Sequence, residues 1–254
     1  MIALDDRQVE TAWCGPGPDD APTVVLLHEG LGCVALWRDF PAALAEATGC
    51  GVFAYTRSGY GASDPTVLPR PMSYMHDEAL TVLPRVLDAA EIRRAVLLGH
   101  SDGGSIAAIY AGGVADTRVL GVVLIAAHFI VEDINIASIA AIKSSYEQGD
   151  LRQRLARYHR DVDMAFYGWN GAWLDPRFRN FDITDYIGRI RVPLLALQGE
   201  DDPYGTVAQF QVLQRTAHCP LQMQMIPGAR HAPHLETRQA TLAAVTEFVR
   251  QVVA

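Results

Sequence analysis

Apolar residues gather along this chain in two alternating ways. Residues 23–28 (TVVLLH), 51–55 (GVFAY), 95–99 (AVLLG), 119–126 (VLGVVLIA) and 192–198 (VPLLALQ) are almost unbroken apolar runs. Runs of that length suit strands covered on both faces, as in a parallel sheet. Residues 221–226 (LQMQMI) alternate apolar with polar, which predicts a final strand near an edge. Between the runs, helical spacing predicts helices at about 41–48, 73–90, 102–113, 203–216 and 235–252. In the last of these, Leu242, Val245, Phe248, Val249 and Val252 share a face. Strand alternating with helix predicts an α/β fold, a mostly parallel central sheet flanked by helices.

One stretch breaks the alternation. Residues 131–190 carry no strand pattern, only two helical patterns and a turn-rich segment dense in aromatics, from Phe166 to Phe181. It is expected to be a helical cap inserted into a single core domain made of about 1–130 and 191–254. A length of 254 residues suits one such domain.

Composition narrows the function classes. No apolar run approaches the roughly 18 residues that span a bilayer, and residues 1–6 (MIALDD) lack the basic and apolar regions of a secretory signal. The four cysteines, Cys14, Cys33, Cys50 and Cys219, match neither a zinc spacing nor a disulfide framework, which fits thiols in a reducing cytoplasm. A net charge of −8 argues against sequence-independent nucleic-acid binding, which needs a basic face. The expected partner is a small-molecule acyl substrate, with no membrane and no nucleic acid, and homo-oligomerisation left open.

The chemistry centres on Gly99-His100-Ser101-Asp102-Gly103, a G-x-S-x-G between a strand and a helix. A sharp turn there would push Ser101 out at the carboxyl edge of the sheet, with small residues relieving the crowding. The helix beginning at that point would aim its N–H groups at a developing oxyanion. Asp102 lies one residue past the elbow, which argues against an aspartate nucleophile.

A serine hydroxyl needs a base. Of eight histidines, His231 lies in the loop between the last strand and the last helix, at the same sheet edge, with His234 as the rival. His28 and His100 end strands and are expected to be buried; His76, His159 and His218 are expected to be solvated. For the orienting acid, Asp202 stands in the turn Gly199-Glu200-Asp201-Asp202-Pro203, where Pro203 is expected to open a helix. Asp201, Glu200, and Glu132 or Asp133 after the strand at 119–126 remain alternatives. The oxyanion donors are expected to be the backbone N–H of Asp102 and one from the loop His28-Glu29-Gly30-Leu31-Gly32.

These segments resemble the α/β-hydrolase superfamily across essentially the whole chain. His28–Gly32 is similar to its H-G-x-x-G oxyanion segment, and Arg57-Ser58-Gly59-Tyr60-Gly61-Ala62-Ser63 to its R-x-G-x-G-x-S loop. The elbow, the acid turn and His231-Ala232-Pro233-His234-Leu235-Glu236 match in the family's order of serine, acid and histidine. The resemblance implies a serine hydrolase of an ester or thioester, with Ser101, Asp202 and His231 as triad and no cofactor or metal. Gly30 best fits the family's donor position, with Glu29 second. Relatives also include carbon–carbon bond hydrolases, lyases and slow-turnover receptors.

One position departs from the pattern. Glu29 replaces a glycine, and a carboxylate beside an oxyanion hole repels charge unless it is paired, protonated or turned away. It is expected to pair with a base such as Arg57, the alternative being contact with substrate or leaving group. Candidate substrate walls are Trp169, Trp173, Phe166, Tyr167, Phe178 and His128. Residues 143–191 carry nine basic and seven acidic side chains, which could favour an anionic substrate or be only a solvated face.

Overall fold

The computed structural model describes residues 1–254. A hairpin of β1 (Ile2–Leu4) and β2 (Arg7–Val9) opens the chain. It leads into β3 (Thr11–Cys14), β4 (Thr23–Leu27), β5 (Gly51–Tyr55), β6 (Ala95–His100), β7 (Val119–Ile125), β8 (Leu194–Gly199) and β9 (Leu221–Ile226). These seven form one sheet in the order β3-β5-β4-β6-β7-β8-β9, parallel except for the antiparallel edge strand β3. The first three strands escaped the sequence pattern because each is only three or four residues long and partly exposed.

The apolar runs are continuous because the strands are buried on both faces. Alternate residues enter opposite cores: Val25, Leu27, Leu97 and Leu124 one, Val24, Leu26, Leu98 and Ile125 the other. The second core is covered by α1 (Phe40–Thr48) and the C-terminal helix Arg238–Val253, through Phe40, Leu44, Val245, Phe248 and Val249. The first core is covered by α2 (Tyr74–Asp77), α3 (Leu83–Ala89) and α4 (Asp102–Gly113).

Helices α2 and α3 are joined through a π-helical turn at Glu78–Val82. Pro84 explains it, since it has no N–H to give to the carbonyl one turn earlier, so the ladder widens there.

Between β7 and β8 the chain forms α5 (Asp133–Gln148), α6 (Leu151–Leu155), α7 (Val162–Leu174) and α8 (Thr184–Ile187). A lone bridge between Ile130 and Asp182 ties the start of this segment to its end. Then follow α9 (Val207–Thr216), α10 (Pro233–Glu236) and α11 (Arg238–Val253). The helix expected from 203 starts at Val207, capped by Thr206. The last helix is broken at Thr237. No helix is long and apolar enough to cross a membrane.

Candidate active site

The turn from β6 into α4 holds Ser101 at φ 53° and ψ −119°, a strained conformation for any residue with a side chain. The flanking glycines permit it. A Cβ on Gly99 would collide with the Gly103 carbonyl, and one on Gly103 with the Leu27 carbonyl. Ser101 N–H donates to the Ile125 carbonyl at 2.8 Å, so the elbow is pinned to the neighbouring strand.

Three side chains from three loops meet there. His231 Nε2 lies 3.0 Å from Ser101 Oγ, and His231 Nδ1 lies 2.9 and 3.0 Å from the two oxygens of Asp202. Asp202 also accepts from Gln198 Nε2 at 3.0 Å and from Tyr204 N–H at 2.8 Å. Burial works against its charge, but His231 and these donors outweigh that and hold the carboxyl below its usual range. An ionised carboxylate accepts only, so Nδ1 carries the proton and Nε2 is free to take the serine's.

The rival acids stand elsewhere. Asp201 and Glu200 are exposed, and Glu132 is taken up by Thr206 and Gln209. Asp202 owes its place to the turn before α9 rather than to a helix opened by Pro203.

Opposite the triad, Arg57 grips the first loop. Its guanidinium, on a residue only 3% exposed, donates to the carbonyls of His28 at 2.5 Å and Glu29 at 2.8 Å. The Glu29 carbonyl belongs to the same peptide unit as Gly30 N–H, and in a trans peptide the two point in opposite directions. The clamp therefore turns Gly30 N–H away from Arg57, and neither Glu29 N–H nor Gly30 N–H finds a protein acceptor. Asp102 N–H heads α4, ahead of the first intrahelical bonds. Free donors thus flank Ser101 on two sides.

Glu29 does not pair with Arg57 through its side chain, contrary to expectation. Its carboxylate curls back over Gly32 and lies 3.6 Å from His100 Nδ1. His159 is likewise not solvated. It is buried, accepting from Gly61 N–H at 2.9 Å and donating to the Leu31 carbonyl at 3.0 Å, so the cap braces the first loop. His28 and His100 are buried as expected, and His234 packs against Trp37.

A cavity of about 110 Å³ opens over Ser101, lined by Glu29, Gly30, Leu31, Asp102, His128, Ile139, Trp169, Trp173, Tyr204 and His231. Trp169, Trp173 and His128 are therefore walls. Phe166, Tyr167 and Phe178 are not: Phe166 stacks on Tyr146, Tyr167 is exposed, and Phe178 packs between Tyr74 and Phe181. Leu31, Ile139 and Tyr204 were missed because nothing local marks them. Trp169 contributes more than apolar surface, because its indole Nε1 sits directly over Gly30 and a Cβ there would collide with it.

The Asp102 side chain is fully buried, accepting from Tyr74 Oη at 2.7 Å and Trp173 Nε1 at 3.2 Å. It thereby ties the cap to the elbow. Burial pushes its carboxyl upward. No lysine or arginine lines the cavity, and the cap's Arg152, Arg154, Arg177 and Arg179 side chains are each more than half exposed. The basic cap is a solvated face.

Buried neutral imidazoles surround the site. Burial lowers the pKa of His28, His159 and His234, and that of His128 to about 3. Each takes up a proton on unfolding below pH 6.5, so the stability present above that pH is lost as pH falls. For His128 alone the loss by pH 5 is about 2 kcal/mol, at 1.4 kcal/mol per proton per pH unit. Thermal melts should show a steep drop in Tm between pH 7.5 and 5. A flat profile across that range would contradict the buried neutral assignment.

A strained serine elbow at the carboxyl edge of a parallel sheet, met there by a histidine and an aspartate, defines the α/β-hydrolase class of fold and site. The chain belongs to the Alpha/beta hydrolase family, whose model matches residues 24–245. It is 29% identical over 225 residues to a non-heme chloroperoxidase of Streptomyces lividans, covering 76% of this chain and 79% of that protein. It is 26% identical over 215 residues to the bifunctional esterase/perhydrolase DCH of Acinetobacter calcoaceticus, covering 73% and 76%. Among solved structures, proline iminopeptidase from Mycobacterium smegmatis superposes with a TM-score of 0.78 at 19% identity, covering 98% of this chain and 97% of that one.

Proposed function

We propose that the protein is a serine hydrolase of small uncharged acyl esters. The observation that carries this reading is the unbroken chain from Asp202 through His231 to Ser101 Oγ, at 2.9 and 3.0 Å. His231 Nε2 takes the Ser101 proton as Oγ attacks the acyl carbonyl. The oxyanion forms against Gly30 N–H and Asp102 N–H, and Asp202 balances the imidazolium. His231 then gives its proton to the leaving alcohol. Water, deprotonated in turn by His231, adds to the acyl-enzyme, and the acid leaves as Ser101 regains its proton.

Cavity size supports a small acyl group. About 110 Å³ equals roughly four waters at about 30 Å³ each, well below the roughly 300 Å³ at which ordinary ligand pockets begin. The absence of lysine and arginine from its walls disfavours an anionic acyl group. The esterase named among the relatives agrees with the reaction class.

Acetyl and propionyl nitrophenyl esters should turn over, with hexanoyl about 10- to 100-fold lower in kcat/KM, the 1–3 kcal/mol of overpacking. A fluorophosphonate should label the wild type and spare Ser101→Ala. Equal labelling of both would refute the serine mechanism, and a preference for hexanoyl would refute the cavity argument.

A further inference from the structure

Two groups at the site have no place in that cycle: the carboxylate of Glu29 and the imidazole of His100. Glu29 lines the cavity with its side chain 28% exposed, while the His100 side chain is 4% exposed at the end of β6, one residue before Ser101. The His100 ring stands between the two working loops. Its Nε2 is 2.7 Å from the His231 backbone carbonyl and its Nδ1 is 3.6 Å from Glu29 Oε2.

Hydrogen-bond chemistry fixes where the protons go. A carbonyl only accepts, so Nε2 carries a hydrogen. In a neutral ring Nδ1 would then present its lone pair to a carboxylate oxygen, two acceptors face to face in a buried gap. Nδ1 has no other partner. A proton on Nδ1 removes the conflict and makes the 3.6 Å contact an attractive ion pair.

We propose that His100 and Glu29 form an imidazolium–carboxylate pair that straps the oxyanion loop to the base loop and cancels the carboxylate charge beside the oxyanion. The strap runs from Glu29 on the first loop, through both N–H groups of His100, to the carbonyl of His231. It accounts for the glutamate where the family has glycine, and for Gly32, where a Cβ would strike the Glu29 carboxylate.

The surroundings offer the pair no competitor. Cys33 and His28 lie on the first loop, His159 comes from the cap, and His231 and His234 face His100 from the base loop and α10. Burial keeps His28, His159 and His234 neutral, and pushes the Cys33 thiol up to about 11. The Arg57 guanidinium is spent on the loop carbonyls, and His231 on Asp202. Burial also opposes ionisation of Glu29, but the His100 ring beside it holds its carboxyl below the usual range.

Nitrogen-15 NMR of the imidazoles tests the pair directly. At pH 8, where exposed histidines are neutral, the wild type should keep one ring with both nitrogens at protonated shifts, and Glu29→Gln should lose it. A wild type with no imidazolium at pH 8, or an imidazolium that survives Glu29→Gln, overturns the proposal. The wild-type spectrum alone decides if the variant does not fold.

A second readout rests on the hydrolase reading. When the pair loses its proton, a bare carboxylate faces the oxyanion, so kcat should fall at least 10-fold along an alkaline limb that follows the NMR titration. Glu29→Gln should lack that limb. The same limb in both proteins would contradict the charge-cancelling role. A protein without esterase activity would sink the hydrolase reading, and the imidazolium signal would still decide whether the pair exists.

Discussion

Ser101→Ala is expected to lower kcat for a short acyl ester by about 10⁴- to 10⁶-fold, while the melting temperature holds. The size of the loss follows from the triad acting as a unit. Removing the nucleophile alone costs about as much as removing all three members, which leaves only the oxyanion donors and binding. The stability half comes from the backbone. At φ 53° and ψ −119°, Ser101 occupies a region that costs a residue bearing a Cβ about 1–3 kcal/mol. Ser101→Gly removes that cost but adds backbone entropy to the unfolded chain, for a net gain of about 1 kcal/mol. The pair of variants separates the two effects. Both should be inactive and only the glycine should melt distinctly higher; substantial turnover in either would end the serine mechanism.

Arg57→Met should lower kcat by about 10²-fold with KM within about threefold of wild type, the sign of a contact that matters only in the transition state. Arg57 does not line the cavity. It acts through the peptide unit it holds, since releasing the Glu29 carbonyl lets Gly30 N–H swing from the oxyanion. The effect should sit at the low end of the 10²–10³-fold loss of a deleted donor, because His28 Nδ1 still holds the Glu29 carbonyl at 2.7 Å. Steady-state kinetics on an acetyl ester would check it. A rise in KM with kcat intact would show that Arg57 shapes binding instead. Loss of both with a collapsed melting transition would reduce it to a support of the fold.

Much of this site could be read along the chain because its parts are marked locally. Ser101 and His231 are 130 residues apart, yet each follows a strand that the pattern marks, an apolar run before Ser101 and an alternating one before His231. Parallel strands deliver their carboxyl ends to one edge, so reading the runs in order brings the loops together. The elbow glycines, too, announce a backbone that no larger residue could follow. The helices between β7 and β8 appeared as a gap in the strand pattern, together with helical spacing and a dense run of aromatics.

What escaped was decided by side chains meeting without a shared local signal. Trp173 finds Asp102 71 residues away, and His159 finds Gly61 98 residues away, from helices and turns whose patterns describe only their own solvent and core faces. Glu29 illustrates the limit. Its replacement of a glycine was plain in the sequence, but Arg57, the nearest cation by motif, took the loop's carbonyls and left the carboxylate to His100. The amino-acid sequence by itself determined the layers, the strained serine and the order of the loops that carry Ser101, Asp202 and His231, because periodicity and turn chemistry act over a few residues. Only the tertiary structure decided the size of the cavity, the partner of each buried charge and which aromatics line the cavity. Those depend on packing among elements, and any one of several chemically similar side chains could have filled each place.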